Sequence, residues 1–288
     1  MGQASVLTID GAPDIRSRPL ADPLPGIDRG YSDAMSGSRA QKERQSKRER
    51  PDYLASADYT LRAANAVLAV DLGEVPVTRV SQFAVGWLRA AFEQSRIIAT
   101  LTASGLGHAA APNRRAFWEL TIRMLWLGDM PPSDRATAAD TMLDLERTNE
   151  TKTDKYMREN GLPSDIDVAE MEAFILNVSE DKLINAGAKS LTGAVKGTGT
   201  NLWMVYRLWR EDSTWTHATG FLAGRYAPTN DDDTMGAGEP PHIDPNLEAH
   251  KYAAIVLTAK VGDILEGEGA ASELAGAAMV AYFQANAV

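Results

Sequence analysis

After Pro51, apolar residues return every three or four positions, in blocks separated by glycine and proline. The block Tyr53–Leu72 carries Leu54, Ala57, Leu61, Ala64 and Leu68 at helical spacing and is stopped by Gly73 and Pro76. A second, Val80–Ala103, carries Phe83, Trp87, Ala90, Ala91, Ile97 and Leu101, and Gly105 and Gly107 close it. Pro112 opens a third, NRRAFWELTIRMLWLGD, with Phe117, Leu120, Met124 and Leu127 on one stripe; Pro131 and Pro132 break it. Ser133–Glu159 keeps the spacing at Met142, Leu145, Thr148 and Tyr156 but is far more polar, which predicts a surface helix laid over a bundle.

Gly161 and Pro163 lead to a shorter helix predicted over Val168–Val178. The stretch 179–200 is interrupted by Gly187, Gly193, Gly197 and Gly199 and reads as a flexible connector. A helix carrying Arg210 and His217 comes next, followed by the turn-rich APTNDDDTMGAGEPPHIDP. Asp244 reads as a cap and Pro245 as a first-turn residue of a helix running to about Leu265, and an alanine-rich helix covers roughly 270–285. No segment alternates as a strand does, and no repeat period stands out. The fold class expected is all-α, an irregular multi-helix bundle forming one domain over 51–288. Residues 1–50 lack this periodicity. Pro13, Pro19, Pro23 and Pro25 and the charged run RAQKERQSKRER predict an extended or disordered N-terminal tail.

Composition narrows the chemistry. Of 288 residues, 44% are hydrophobic and 24% charged, as in an ordinary globular protein. The absence of cysteine excludes disulfides, thiolate metal sites and cysteine nucleophiles. The N-terminus lacks the basic-then-apolar order of a signal peptide, and Glu273 interrupts the apolar C-terminal run, so a cytoplasmic protein without membrane contact is expected. The net charge is −10, and residues 1–50 hold nine Arg/Lys against seven Asp/Glu, which leaves −12 on the remainder. Such a body disfavours broad nucleic-acid binding, so any RNA contact is expected at a local basic patch.

The leading chemical candidate is the stretch 199–226. At 3.6 residues per turn, Arg210, Ser213, Thr214 and His217 fall on one helical stripe. An arginine can hold a phosphate bidentately, and a histidine can move a proton near neutral pH. Metal-free RNA cleavage needs both: an acceptor for the 2′-hydroxyl proton and a cation for the transition-state phosphate. Ser213, four residues before His217, could orient the imidazole, with Arg207 near the same face. Arg115 and Glu119, an i, i+4 pair on the third helix, could hold Arg210 or Arg207 in place; the pair could equally stiffen its own helix. The same stripe could be a buried polar seam with no chemistry. A third reading puts Trp203, Tyr206, Trp209 and Trp215 around a small-molecule cavity. His242, Asp244, Glu248 and His250 are metal-ligand types, but their spacing is not that of a helical zinc site, and Asp231, Asp232 and Asp233 lack the pattern of a calcium loop. TGAVKGTGTN lacks the order of a phosphate loop. No metal or cofactor is therefore expected.

RRAFWELTIRMLWL and VYRLWREDSTWTHA resemble a family of helical, mostly bacterial proteins described as a domain of unknown function. The shared features are an arginine, three residues, then glutamate on an apolar helix, and a tyrosine-arginine followed by serine, three residues, then histidine. The resemblance covers about residues 80–226. That family in turn resembles the HEPN superfamily, helical domains of which many are metal-independent endoribonucleases in toxin, defence or RNA-processing systems. Their signature is an arginine followed, after four to six residues, by a histidine; six separate Arg210 from His217. The resemblance implies an endoribonuclease in a toxin, phage-defence or stress system. Arg210 would lie on the scissile phosphate, His217 would act in proton transfer, RNA would be the partner, and a homodimer would build a composite site. Its alternative is a non-catalytic helical interaction or scaffold protein, since many such domains only bind.

Overall fold

A computed structural model describes residues 52–287, which lie in one compact unit, Arg50–Val288. The tail expected over 1–50 falls outside the described residues. Among the described residues there are twelve α-helices, one 3₁₀ turn and no strand, so the fold is all-α. No helix among them is long and apolar enough to cross a membrane.

Helix α1 (Asp52–Leu68) packs along α2 (Arg79–Ala103), and α2 along α3 (Ala111–Asp129). A reciprocal cap starts α2: Thr78 Oγ1 accepts from the Ser81 amide at 3.0 Å, and Ser81 Oγ accepts from the Thr78 amide at 2.8 Å. Helix α3 is the central rod. It touches α2, α4 (Pro132–Glu159), α7 (Leu191–Gly197), α8 (Trp203–Thr216) and α10 (Glu248–Gly267). It can do so because it is apolar on most of its circumference, with Phe117, Trp118, Ile122, Leu125 and Trp126 all buried. Burying each such side chain contributes about 1.5–3 kcal/mol. Leu257, Val261 and Ile264 of α10 complete this core.

The polar α4 behaves as its sequence predicts. Its buried residues end at Met142, and its far end carries an exposed Tyr156. One acid in the buried half is structural: Asp140 accepts from Arg79 Nε at 2.8 Å and from the Asn177 amide at 2.9 Å.

Four expectations about elements are corrected. Helix α5 (Val168–Phe174) stops short of Val178. The supposed connector over 179–200 contains two helices, α6 (Lys182–Lys189) and α7, capped by Asp181 and Ser190. Its glycines serve close approach rather than flexibility: a Cβ on Gly187 would lie 2.2 Å from Trp126 Nε1, and one on Gly193 2.0 Å from the Ala186 carbonyl. Helix α10 begins at Glu248, not Pro245. Its N-cap residue is Leu247, without a side-chain cap; Asp244 lies one turn ahead and accepts from the Glu248 amide at 2.8 Å and the Asn246 amide at 2.9 Å. The C-terminal helix is two pieces, α11 (Ser272–Ala275) and α12 (Ala277–Gln284), parted at Gly276.

Candidate functional site

Helix α8 lies against α3 and divides its side chains between two environments. Asp212 is buried, with Val205, Leu208, Trp209, Ser213 and Thr216 half-buried around it, while Trp203, Met204, Arg207, Arg210 and Glu211 are exposed. Trp209 and Asp212 are one turn apart and Val205 and Asp212 two, so an acid sits in the middle of the inward apolar stripe.

The partner of that acid is Arg114 of α3, also buried. Its Nε and Nη2 donate to Asp212 Oδ1 at 3.0 and 2.7 Å, and Trp118 Nε1 donates to Oδ2 at 2.9 Å. Arg114 Nη1 donates to the Gly107 carbonyl at 2.6 Å, tying in the 3₁₀ turn Gly107–Ala110. Burial raises the Asp212 carboxyl above the usual carboxylate range, and the hydrogen bonds from Arg114 and Trp118 oppose the rise.

One residue further along each helix, a second polar layer is half-buried. Arg115 Nε donates to Ser213 Oγ at 3.0 Å, and its guanidinium lies 5.5 Å from the Trp209 ring centre. Trp209 Nε1 donates to Glu119 Oε2 at 3.3 Å, and Arg115 and Glu119 approach to 3.9 Å.

His250 of α10 closes the buried side. It is 2% exposed, its ring centre is 4.0 Å from that of Phe117, and its Nε2 lies 3.0 Å from Ser95 Oγ. The Ser95 hydroxyl donates to the Ala91 carbonyl at 3.1 Å, so its lone pairs face Nε2–H, and His250 Nδ1 is left as a buried acceptor without a partner among the described residues. Burial, with Arg114 adding to it, holds the imidazole pKa down at about 3. A cleft of about 250 Å³ opens here, lined by Arg114, Trp118, Asp212, Trp215, Leu247 and His250. Leu247 holds a left-handed backbone, φ 55°, at the head of α10, a conformation costing about 1–2 kcal/mol for a side chain with a Cβ.

A second, wider cleft of about 620 Å³ runs between α2, α3, α4 and α6, with Glu119, Arg123, Glu146, Lys152 and Lys189 on its walls. Burial lowers the Arg123 pKa and raises that of Glu146, and Arg123 donates to the Gly187 carbonyl.

The six residues singled out from the sequence are not assembled as expected. Arg210 and His217 are both exposed, and neither side chain has a hydrogen-bond or ion-pair partner among the described residues. His217 is not on the helical stripe: α8 ends at Thr216, and His217 caps it in extended backbone, φ −103° and ψ 152°. The cause is local. The Thr214 and Thr216 hydroxyls donate back to the carbonyls of Arg210 and Asp212, and Thr219 caps the next helix, α9 (Gly220–Tyr226), so the chain must turn between them. Ser213 does not orient His217, because its one hydroxyl proton goes to the Trp209 carbonyl at 2.7 Å while Arg115 occupies its oxygen. Arg207 pairs with Glu211 at 2.7 Å, and Glu119 with Trp209 and Arg115, so Glu119 holds neither Arg207 nor Arg210. Arg115, Glu119 and Ser213 do come together, around Trp209. Among the described residues no group of three or more His, Asp or Glu could hold a metal ion.

Arg114, Trp118 and Asp212 escaped the sequence reading, and His250 was weighed there only as a metal-ligand type. A signal existed for the pair: an arginine inside the stripe Ala111–Trp118 and an aspartate inside Val205–Thr216 are opposite charges that can each be buried only with a partner. Comparison with family models, curated proteins and solved structures finds no match to this chain.

Proposed function

We propose that the protein is a helical interaction protein that works as a homodimer, docking through the outward face of α8 and α9. The observation that carries this reading is the makeup of that face. Trp203 is 52% exposed, Met204 63% and Phe221 63%, and Arg207, Arg210, Arg225 and Tyr226 are exposed beside them. Trp, Tyr, Phe, Met and Arg are the types enriched in protein interfaces, and here they stand on consecutive helices joined by the Trp215–Phe221 ring contact at 5.3 Å. A second copy suits the face as occupant. Two-fold pairing of antiparallel α8 helices sets the Arg210 end of one against the Trp203 end of the other, where a cation–π contact adds about 0.5–2 kcal/mol. An RNA strand suits it less: Arg207 is neutralised by Glu211, and the chain beyond residue 50 carries −12.

Light scattering after size exclusion, over a concentration series, tests this. The expected mass rises toward twice 31.1 kDa, and Trp203→Ala/Phe221→Ala stays at the single-chain mass. A single-chain mass at every concentration removes the proposal.

A second reading, metal-independent endoribonuclease activity, is favoured by Arg210 and His217 being exposed and unpaired among the described residues. Incubation with RNA in EDTA separates the two readings. Cleavage that disappears in a folded His217→Ala variant supports the nuclease, and equal traces from both proteins exclude it.

A further inference from the structure

We propose that the wider cleft between α2, α3, α4 and α6 binds a small aromatic carboxylate, with Arg123 as the group that receives the carboxyl. Neither α8 nor α9 lines this cleft, so the site does not depend on the docking proposal. Arg123 is half-buried, not sealed, and it lines the cleft. Its Nη1 donates to the Gly187 carbonyl, beside the lining residues Ala188 and Lys189. The acids that act on its charge, Glu119 and Glu146, line the same cleft, which sets the guanidinium among the cleft walls. Neither acid pairs with it: no carboxylate of the described residues forms an ion pair with Arg123, and Gly187 is the one acceptor they offer its five N–H bonds. Burial lowers its pKa, so the cation is held partly out of water with no anion beside it. A carboxylate would take two parallel N–H bonds from the guanidinium and supply that anion.

Charge and shape set the class. Lys152 and Lys189 are exposed on the walls without a partner among the described residues, so the cleft holds three cations that no acid has claimed. Against them stands Glu146 alone, because Glu119 already accepts from Trp209 and lies 3.9 Å from Arg115. That balance favours an anion, although the chain beyond residue 50 is acidic. Trp87, Leu120, Met142 and Leu145 supply an indole and aliphatic surface that suits a flat apolar ring. The volume of about 620 Å³ falls within the roughly 300–1,000 Å³ of small-molecule sites. An inorganic anion would leave the apolar wall uncovered, so the ligand is an organic acid with an aromatic body.

Matched probes test the charge. Naphthoate carries a carboxylate, naphthamide of the same ring isomer is its neutral counterpart, and naphthylmethylamine is a cation near neutral pH. Calorimetric titration of the full chain is expected to give saturable naphthoate binding about tenfold tighter than naphthamide, with the amine weakest. Arg123→Gln should abolish the preference for the acid. Lys152→Gln/Lys189→Gln changes exposed positions only, and should weaken naphthoate several-fold while leaving naphthamide unchanged. Glu146→Gln should tighten naphthoate. No saturable heat with naphthoate, equal affinity for acid and amide, or tighter binding of the amine overturns the proposal. So does a folded Arg123→Gln variant that keeps the preference. Because the probe comparison is made on the unaltered protein, it decides even where Arg123→Gln does not fold.

Discussion

The two faces of α8 carry similar residue types and do opposite things. Outward, Arg207 pairs with Glu211 across one turn, and Arg210 stands free of partners among the described residues. Inward, Asp212 holds Arg114 with both partners buried, and Ser213 holds Arg115. Solvent makes the difference. An exposed ion pair contributes about 0–1 kcal/mol because water screens it and both side chains must be ordered. A buried pair leaves an uncompensated charge when one partner goes, which costs about 3–5 kcal/mol. The inward face therefore positions α8 on α3, while the outward face stands clear of α3.

The sharpest way to break this contrast is Asp212→Ala. It strands the Arg114 guanidinium and removes the acceptor of Trp118 Nε1, so the loss of unfolding free energy in urea should be about 3–5 kcal/mol. A loss below about 1 kcal/mol would mean that the pair is reached by water and that the two faces are alike.

The buried side should also show itself in acid. The His250 pKa is about 3 in the folded chain against 6.5 for a free imidazole. Between those values the unfolded chain binds a proton that the folded chain does not, so stability is full above 6.5 and falls with pH. The slope from this residue is about 1.4 kcal/mol per pH unit, hence a loss of about 1.4 kcal/mol by about pH 5.5. Asp212, raised by burial, acts in the opposite sense at the acid end of the window. Urea midpoints measured from neutral pH down to 5.5 check this, and His250→Phe should flatten the profile. A native chain with no slope there would place His250 in contact with water.

How much of this was readable in the sequence depends on how local each determinant is. The long helices were, because repeated apolar spacing and flanking proline or glycine are properties of short windows; α2, α3 and α4 show this. Glycine-rich 179–200 was misread because Gly187 and Gly193 answer to Trp126 and Ala186, and only the folded packing reveals those neighbours. The site behaved likewise. Counting residues put Arg210 and His217 on a stripe, but the stripe ends when Thr219 begins a new helix. The Arg114–Asp212 pair spans 98 residues, a separation that no motif spacing registers, although each member was conspicuous as a charge in an apolar row.

The finest test of the contrast compares Ser213→Ala with His217→Ala. The two positions are one turn apart in sequence, yet one faces α3 and the other water. Ser213→Ala removes the acceptor of Arg115 Nε while the guanidinium keeps its place over Trp209 and beside Glu119, so the expected loss is about 1 kcal/mol. His217→Ala removes an exposed side chain with no partner among the described residues, and its stability should stay within about 0.5 kcal/mol of the unaltered chain. Paired urea melts resolve that difference. If His217→Ala costs as much as Ser213→Ala, the imidazole is carrying structure, and the nuclease reading could not use it freely.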